Sequence, residues 1–156
     1  MNTDIKFYLA TPEDCNLVYC WQSNKQIRKY FINPETPNFQ EHVKWYNSCL
    51  LDKNKALYLL NDNQKNTVGL LRLDQITRNE YNISIIIAPN HQGKGIAVSA
   101  LQKLRQLKKN ATYIARIHDE NIQSQKAFVN AGFQKKSSTS YKLTVKNFKL
   151  NNMNIY

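Results

Sequence analysis

An antiparallel hairpin and meander set between helical segments predict a single α/β (α+β) domain over residues 1–156. Two further observations support that class. The apolar fraction, 42%, is what a globular chain needs to bury a core. No composition shift, internal repeat or low-complexity tract marks a second domain.

The elements follow from periodicity and breakers. "IKFYLA" (5–10) alternates and reads as a strand; "TPEDCNLVYCWQS" (11–23) places Thr11 as N-cap and Pro12 at the first helical position, so it reads as a helix. "NKQIRKYFIN" (24–33) is a candidate second short helix. Phe39, Val43, Tyr46 and Leu50 form one stripe of a helix over 38–52. "ALYLLN" and "TVGLLRLDQI", separated by the polar "DNQKN", predict the hairpin, and "YNISIIIA" (81–88) the next strand. A helix over 94–109 with Ile96, Ala100, Leu101, Leu104 and Leu107 on one face, a strand over 112–118, a helix over 121–132 stopped by Gly132 and a strand over 140–148 complete the chain.

The formal net charge of +11 predicts attraction for anions without naming them. Nucleic acid is disfavoured as a partner: the basic residues are dispersed ("KKN" at 108–110, "QKK" at 134–136) and no RNP, zinc-finger or arginine-rich signature is present. A phosphate-bearing cofactor or substrate profits from the same field, and a solvated basic surface explains the charge equally well. No apolar run is long enough to span a bilayer, and "MNTDIKFYLATPED" lacks the charged and apolar regions of a leader, so a cytoplasmic location is expected with no membrane partner. Cys15, Cys20 and Cys49 are odd in number and lack C-x-x-C spacing, which fits free thiols and no metal site.

The most informative stretch is "IIIAPNHQGKGIAVSAL" (85–101), where strand becomes helix through Gly93 and Gly95. Such a turn leaves backbone N–H groups unpaired at the helix start, an arrangement that receives anions. Glycine admits positive φ and lets phosphate oxygens approach the main chain. The spacing Q-x-x-G-x-A, Gln92 to Ala97, matches neither the P-loop nor the Rossmann fingerprint. On its own it also suits an ordinary helix start.

Followed by "TYIARIH" and "ENIQSQKAFVNAGF", this turn makes the chain, from Trp21 to Phe133, resemble the GNAT superfamily of acyl-CoA-dependent N-acetyltransferases. The resemblance implies a GNAT-like domain with a mixed, mostly antiparallel central sheet, splayed between the strands 81–88 and 112–118. It implies acetyl-CoA as donor: the pyrophosphate on Gln92, Gly93, Lys94, Gly95, Ile96 and Ala97, the pantetheine arm along Ile85 and Ile87, and further cofactor contacts from Asn121, Ser124 and Phe128. Phe133 reads as core.

Acetyl transfer needs a neutral amine, a donor for the oxyanion and a route for thiolate departure. Many members carry a tyrosine where this chain has Phe128, so a water or Ser124 is the candidate substitute. For the general base Glu80 is nearest in sequence to the strand before the turn, with Asp74 and His42 as rivals; a solvated turn residue is an equally good reading of Glu80. His91 and His118 have weaker claims, although His118 ends a strand beside the expected cleft.

"WQSNKQIRKYFIN", "QEHVKWY", "VGLLRLD" and "YNISIIIAP" resemble the acetyltransferases of nucleotide-linked amino sugars, including those of pseudaminic acid biosynthesis. That likeness implies an anionic small amine as acceptor. Trp21 and Phe31 are candidates to stack on it, Arg28 and Arg72 to hold phosphates, and His42 to line the site. Core packing is the competing reading for Trp21 and the better one for Trp45. Protein N-terminal acetylation and non-catalytic acyl-CoA binding are the alternatives, and a homodimer is one option for the assembly.

Overall fold

The computed structural model describes residues 3–146. Seven strands form one sheet in the order β1-β2-β3-β4-β5-β7-β6. They are β1 (Lys6–Leu9), β2 (Lys55–Asn61), β3 (Thr67–Thr77), β4 (Glu80–Ile87), β5 (Ala111–Arg116), β6 (Gln134–Lys135) and β7 (Ser140–Val145). Every neighbouring pair is antiparallel except β4–β5, which is parallel. A parallel neighbour requires a long crossover. Residues 88–110 supply it, carrying α4 (Ile96–Gln102) and α5 (Leu104–Leu107).

The sheet alternation sorts the apolar residues into two cores. On one face Leu57, Leu59, Leu70 and Ile86 pack with Val18, Trp21, Tyr46 and Cys49, contributed by α1 (Cys15–Gln22) and α3 (Phe39–Leu51). On the other, Leu71, Leu73, Tyr81, Ile83, Tyr113 and Ala115 pack with Ile96, Leu101 and Leu104, and with Phe128 from α6 (Ile122–Asn130). The helix α2 (Lys25–Arg28) is a single turn capped by Asn24. No helix among the described residues is long and apolar enough to cross a membrane.

Several elements depart from the sequence reading. Thr11 and Asp14 form a capping box around a 3-10 turn, Pro12–Asp14, and the α-helix starts only at Cys15. The helix expected over 24–33 stops at Arg28, because the side chain of Arg28 turns back to bind carbonyls on both sides of it. In α3 the buried stripe is His42, Tyr46 and Cys49, with Phe39 exposed. Hydrogen bonds set that rotation: Tyr46 Oη donates to the Thr11 carbonyl at 2.6 Å, and His42 Nε2 lies 3.1 Å from the Cys15 carbonyl. The helix predicted over 94–109 breaks at Lys103, whose N–H bonds to Ala100 in a tight turn and whose Nζ pairs with Asp4. The strand β5 ends at Arg116, short of His118, while β7 pairs to Val145; residues 147 and 148 of the predicted last strand lie outside the described residues.

Gly69 marks the closest approach in the sheet. A Cβ there would lie 2.4 Å from the Ile86 carbonyl oxygen, a backbone atom that cannot swing aside. We predict that Gly69→Ala lowers stability by about 1–3 kcal/mol. Urea unfolding curves check it; an unchanged midpoint would show that β3 and β4 tolerate separation.

Candidate active site

The strands β4 and β5 pair only through Glu80↔Thr112, Tyr81↔Tyr113 and Asn82↔Ile114. Beyond Asn82 each follows its other neighbour, β4 to Ile87↔Gly69 and β5 to Arg116↔Ser140. The facing edge of Ile83–Ile87 therefore has no strand partner among the described residues, and a cavity of about 1000 Å³ opens along it. An open edge carries unpaired N–H and C=O groups at regular spacing. Ile85 and Ile87 line this cavity.

At the end of β4 the chain passes through a 3-10 turn, Pro89–His91, into the glycine pair. Gly93 and Gly95 both have φ of 75°, and a Cβ at either would meet no heavy atom within 4 Å. Glycine is required there by conformation, and the space beside it is open. Among the described residues no hydrogen bond uses the backbone N–H of Gly93, Lys94, Gly95, Ile96 or Ala97. The Gln92 side chain does not face outward; its Nε2 donates to the Ile87 carbonyl at 3.1 Å and ties the turn to the strand end. Lys94 is exposed and lies outside the cavity lining, in contrast to its five neighbours in the motif.

The opposite wall is α6. Asn121 caps it, its Oδ1 accepting from the Ser124 N–H at 3.2 Å, and both residues line the cavity. Phe128, one turn beyond Ser124, is buried and packs edge-on against Phe133 with ring centroids 4.9 Å apart. It walls the cavity with carbon.

The third wall comes from the N-terminal helices and the cavity face of β3. Phe31 lines it under the Arg28 guanidinium, 5.0 Å away. Arg28 is 8% exposed; Nη1 donates to the Gln22 carbonyl at 3.0 Å and Nη2 to the Asn33 carbonyl at 2.6 Å, while Nε has no partner. Burial lowers its pKa, and no carboxylate among the described residues pairs with it. Arg72 is already occupied: Nε and Nη2 hold Asp74 at 2.9 and 2.6 Å, and the guanidinium lies 5.5 Å from the Trp45 ring. It is therefore not the free phosphate clamp the sequence suggested. Trp21 is a further correction, since it is buried in the core under α1 and α3 and does not reach the cavity.

Glu80 is the clearest misplacement. It begins β4, at the opposite end from the glycine turn, where its Oε2 accepts from the Thr77 hydroxyl at 3.1 Å, and it does not line the cavity. Asp74 does. Leu70, Arg72 and Asp74 share the cavity face with Asn82, Ser84 and Ile86; Glu80 has the parity of Asn82 but sits at the far end of β4, beyond the register shift between Gln75 and Thr77. Asn82, Ser84, Tyr30, Arg116 and Lys126 are lining residues that sequence reasoning missed; the period of two would have found the first two. His91 and His118 also reach the cavity, and His118 lies against Tyr30 with centroids 5.5 Å apart.

His42 lines the cavity from within a nest of Tyr19, Trp45 and Tyr46. Its Nε2 faces a carbonyl and carries the ring proton, and burial lowers its pKa below the ordinary 6.5. The unfolded chain thus binds a proton that the native chain refuses, so stability is full above pH 6.5 and is lost as pH falls below it. Urea midpoints measured from pH 7.5 to 5.5 should drop in the unaltered protein and change less in His42→Gln; equal slopes would contradict a buried neutral imidazole.

Comparison with known proteins agrees with this geometry. The family described as Acetyltransferase (GNAT) domain matches residues 5–134. The spermidine N(1)-acetyltransferase of Vibrio cholerae is 29% identical over 105 residues, 66% of this chain and 61% of that protein. An uncharacterised protein of Methanocaldococcus jannaschii is 31% identical over 130 residues, 80% of this chain and 27% of its own length. The chain spans less than two thirds of either curated relative. Among solved structures, the Vibrio cholerae spermidine N-acetyltransferase in complex with CoA and spermine superposes with a TM-score of 0.80 at 21% identity, covering 90% of this chain and 95% of that one. With the family matched along most of the sequence and the splayed sheet in place, the chain belongs to the GNAT acetyltransferase family.

Proposed function

We propose that this protein is an acetyl-CoA-dependent N-acetyltransferase that modifies a small amine by direct attack in a ternary complex. One observation carries the reading: the unpaired edge of β4 leads into a turn whose N–H groups are unused, and both face one cavity. Ile85 and Ile87 would hold the pantetheine arm through their backbone, and the turn from Gln92 to Ala97 the pyrophosphate. Acetyl-CoA supplies an activated carbonyl. The free N–H groups of β4 would polarise it, Asn121, Ser124 and Phe128 would flank it, and Phe128 would keep water from it. Ser124, one turn before Phe128 on the same helix, is the candidate to take over the missing tyrosine's part in thiolate departure.

Arg28 supports an anionic acceptor. A buried cation without a counter-charge costs several kcal/mol of desolvation. Arg28 lines the cavity, and its positive charge suits a phosphate or carboxylate brought by the substrate. Phe31 beside it offers a stacking face. A nucleotide-linked amino sugar combines the required anion, flat base and amine. Likeness to the Vibrio cholerae enzyme favours a second reading, a polyamine acceptor. Against it, the described lining residues carry two carboxylates, Glu41 and Asp74, and Glu41 is engaged in the cap of α3, which leaves one for a chain of several ammonium groups. The free thiols Cys15, Cys20 and Cys49 suit a reducing cytoplasm.

Release of coenzyme A thiol from acetyl-CoA should be faster with UDP-glucosamine than with spermidine. The reverse preference supports the polyamine reading, and release with neither amine leaves only acyl-CoA binding. Gly95→Val puts a branched side chain at positive φ beside the turn, so coenzyme A affinity in calorimetry should fall at least about tenfold with the far-UV spectrum retained. Because Phe128 is a packed wall, Phe128→Tyr should alter kcat by less than about tenfold, under the usual contribution of a general acid. Phe128→Ala should lower it further through lost packing. A large gain in kcat from the tyrosine would show that thiolate protonation limits turnover.

A further inference from the structure

We infer that Asp74, locked by Arg72 against Trp45, is the group that receives the acceptor's amino nitrogen. The inference rests on the acetyltransferase reading above and holds for any amine, anionic or not. Position is the first argument. Asp74 is registered with Asn82 on β4, and Asn82 with Ile114 in the last pair before β4 and β5 separate. Asp74 thus stands beside the inner end of the splay, on the cavity face. A pantetheine arm entering from the glycine turn along Ile87 and Ile85 brings its thioester toward that end.

Elimination is the second argument. Glu41 lines the cavity but closes the capping box of α3, its Oε2 accepting from the Asn38 N–H at 3.1 Å. Glu80 lies outside the cavity. Among the described lining residues Asp74 is the carboxylate not consumed by a helix cap. His42, neutral and deeply buried, has its Nε2 committed to the Cys15 carbonyl.

The chemistry of the pair completes the case. Each Asp74 oxygen accepts one N–H from Arg72, at 2.9 and 2.6 Å, and a carboxylate oxygen has two acceptor positions. One position on each oxygen remains for a donor from the cavity. Two parallel bonds fix the carboxylate plane, and the stacking of Arg72 on Trp45 fixes the guanidinium in turn. With side chains 28% and 29% exposed, the pair is screened enough to be ordered and open enough to be reached. An amine that donates N–H to Asp74 is held with its remaining lone pair free to face the thioester carbon.

The test is steady-state kinetics of Asp74→Asn and Asp74→Glu with UDP-glucosamine and with spermidine, alongside inhibition by UDP-glucose, which presents a hydroxyl in place of the amine. In Asp74→Asn the KM of whichever amine is turned over should rise about tenfold to a hundredfold, the loss of one charge-assisted contact. The KM for acetyl-CoA should stay within about twofold, inhibition by UDP-glucose should be little changed, and Asp74→Glu should recover part of the loss. An unchanged amine KM overturns the inference, and so does a weakening of UDP-glucose equal to that of the amine, which would mean that Asp74 merely scaffolds the wall. Preference for spermidine removes the anionic acceptor but leaves the Asp74 prediction to be judged on spermidine. Absence of turnover with both amines in the unaltered protein removes the enzyme reading and this inference with it.

Discussion

The parting of β4 from β5 is the constraint on which the rest of the structure depends. A continuous ladder between them would fill the cavity and satisfy the backbone groups that the site presents. The two strands are held apart because each is bound more extensively on its other side, β4 to β3 and β5 to β7. Gly69 contributes directly: without a side chain it lets β3 follow β4 to its end, and the Ala88 N–H extends that ladder by bonding to the Val68 carbonyl at 2.8 Å. The strand that leaves β5 is thereby kept rigid on its other edge.

The glycine turn depends on the same strand. Gln92 fastens the turn to the Ile87 carbonyl, and the buried Ile96 anchors the first residue of α4 in the core. Between these fixed points Gly93 and Gly95 take positive φ, and the main-chain donors of the turn are left without partners among the described residues. Rigid supports on both sides of a flexible residue type give a pre-organised site, and the ordering cost is met during folding.

Charge in the cavity is arranged rather than simply positive. Arg28 is buried without a counter-ion, whereas Arg72 is neutralised by Asp74 and braced by Trp45. One cation calls for an anion; the other fixes a carboxylate. Together they provide complementary ends for an acceptor bearing both an amine and an anionic group. The net charge of +11 carries no trace of this division, since it sums residues spread over the whole surface.

The sequence by itself determined the class of fold, the order of the main elements and the glycine turn, because these rest on local rules: alternation in strands, the helical stop at Gly132, and positive φ at Gly93 and Gly95. It also identified Phe31, Arg28 and Asp74 as candidates for the cavity wall. What only the tertiary structure decided was which side chains face one another. Glu80 and Asp74 are close in sequence on a hairpin, yet position along the strands puts Asp74 on the cavity wall and Glu80 outside it. Trp21 went to the core because α1 packs with α3 against the sheet, and the rotation of α3, fixed by Tyr46 and His42 bonding to the Thr11 and Cys15 carbonyls, is a long-range choice that no local pattern encodes.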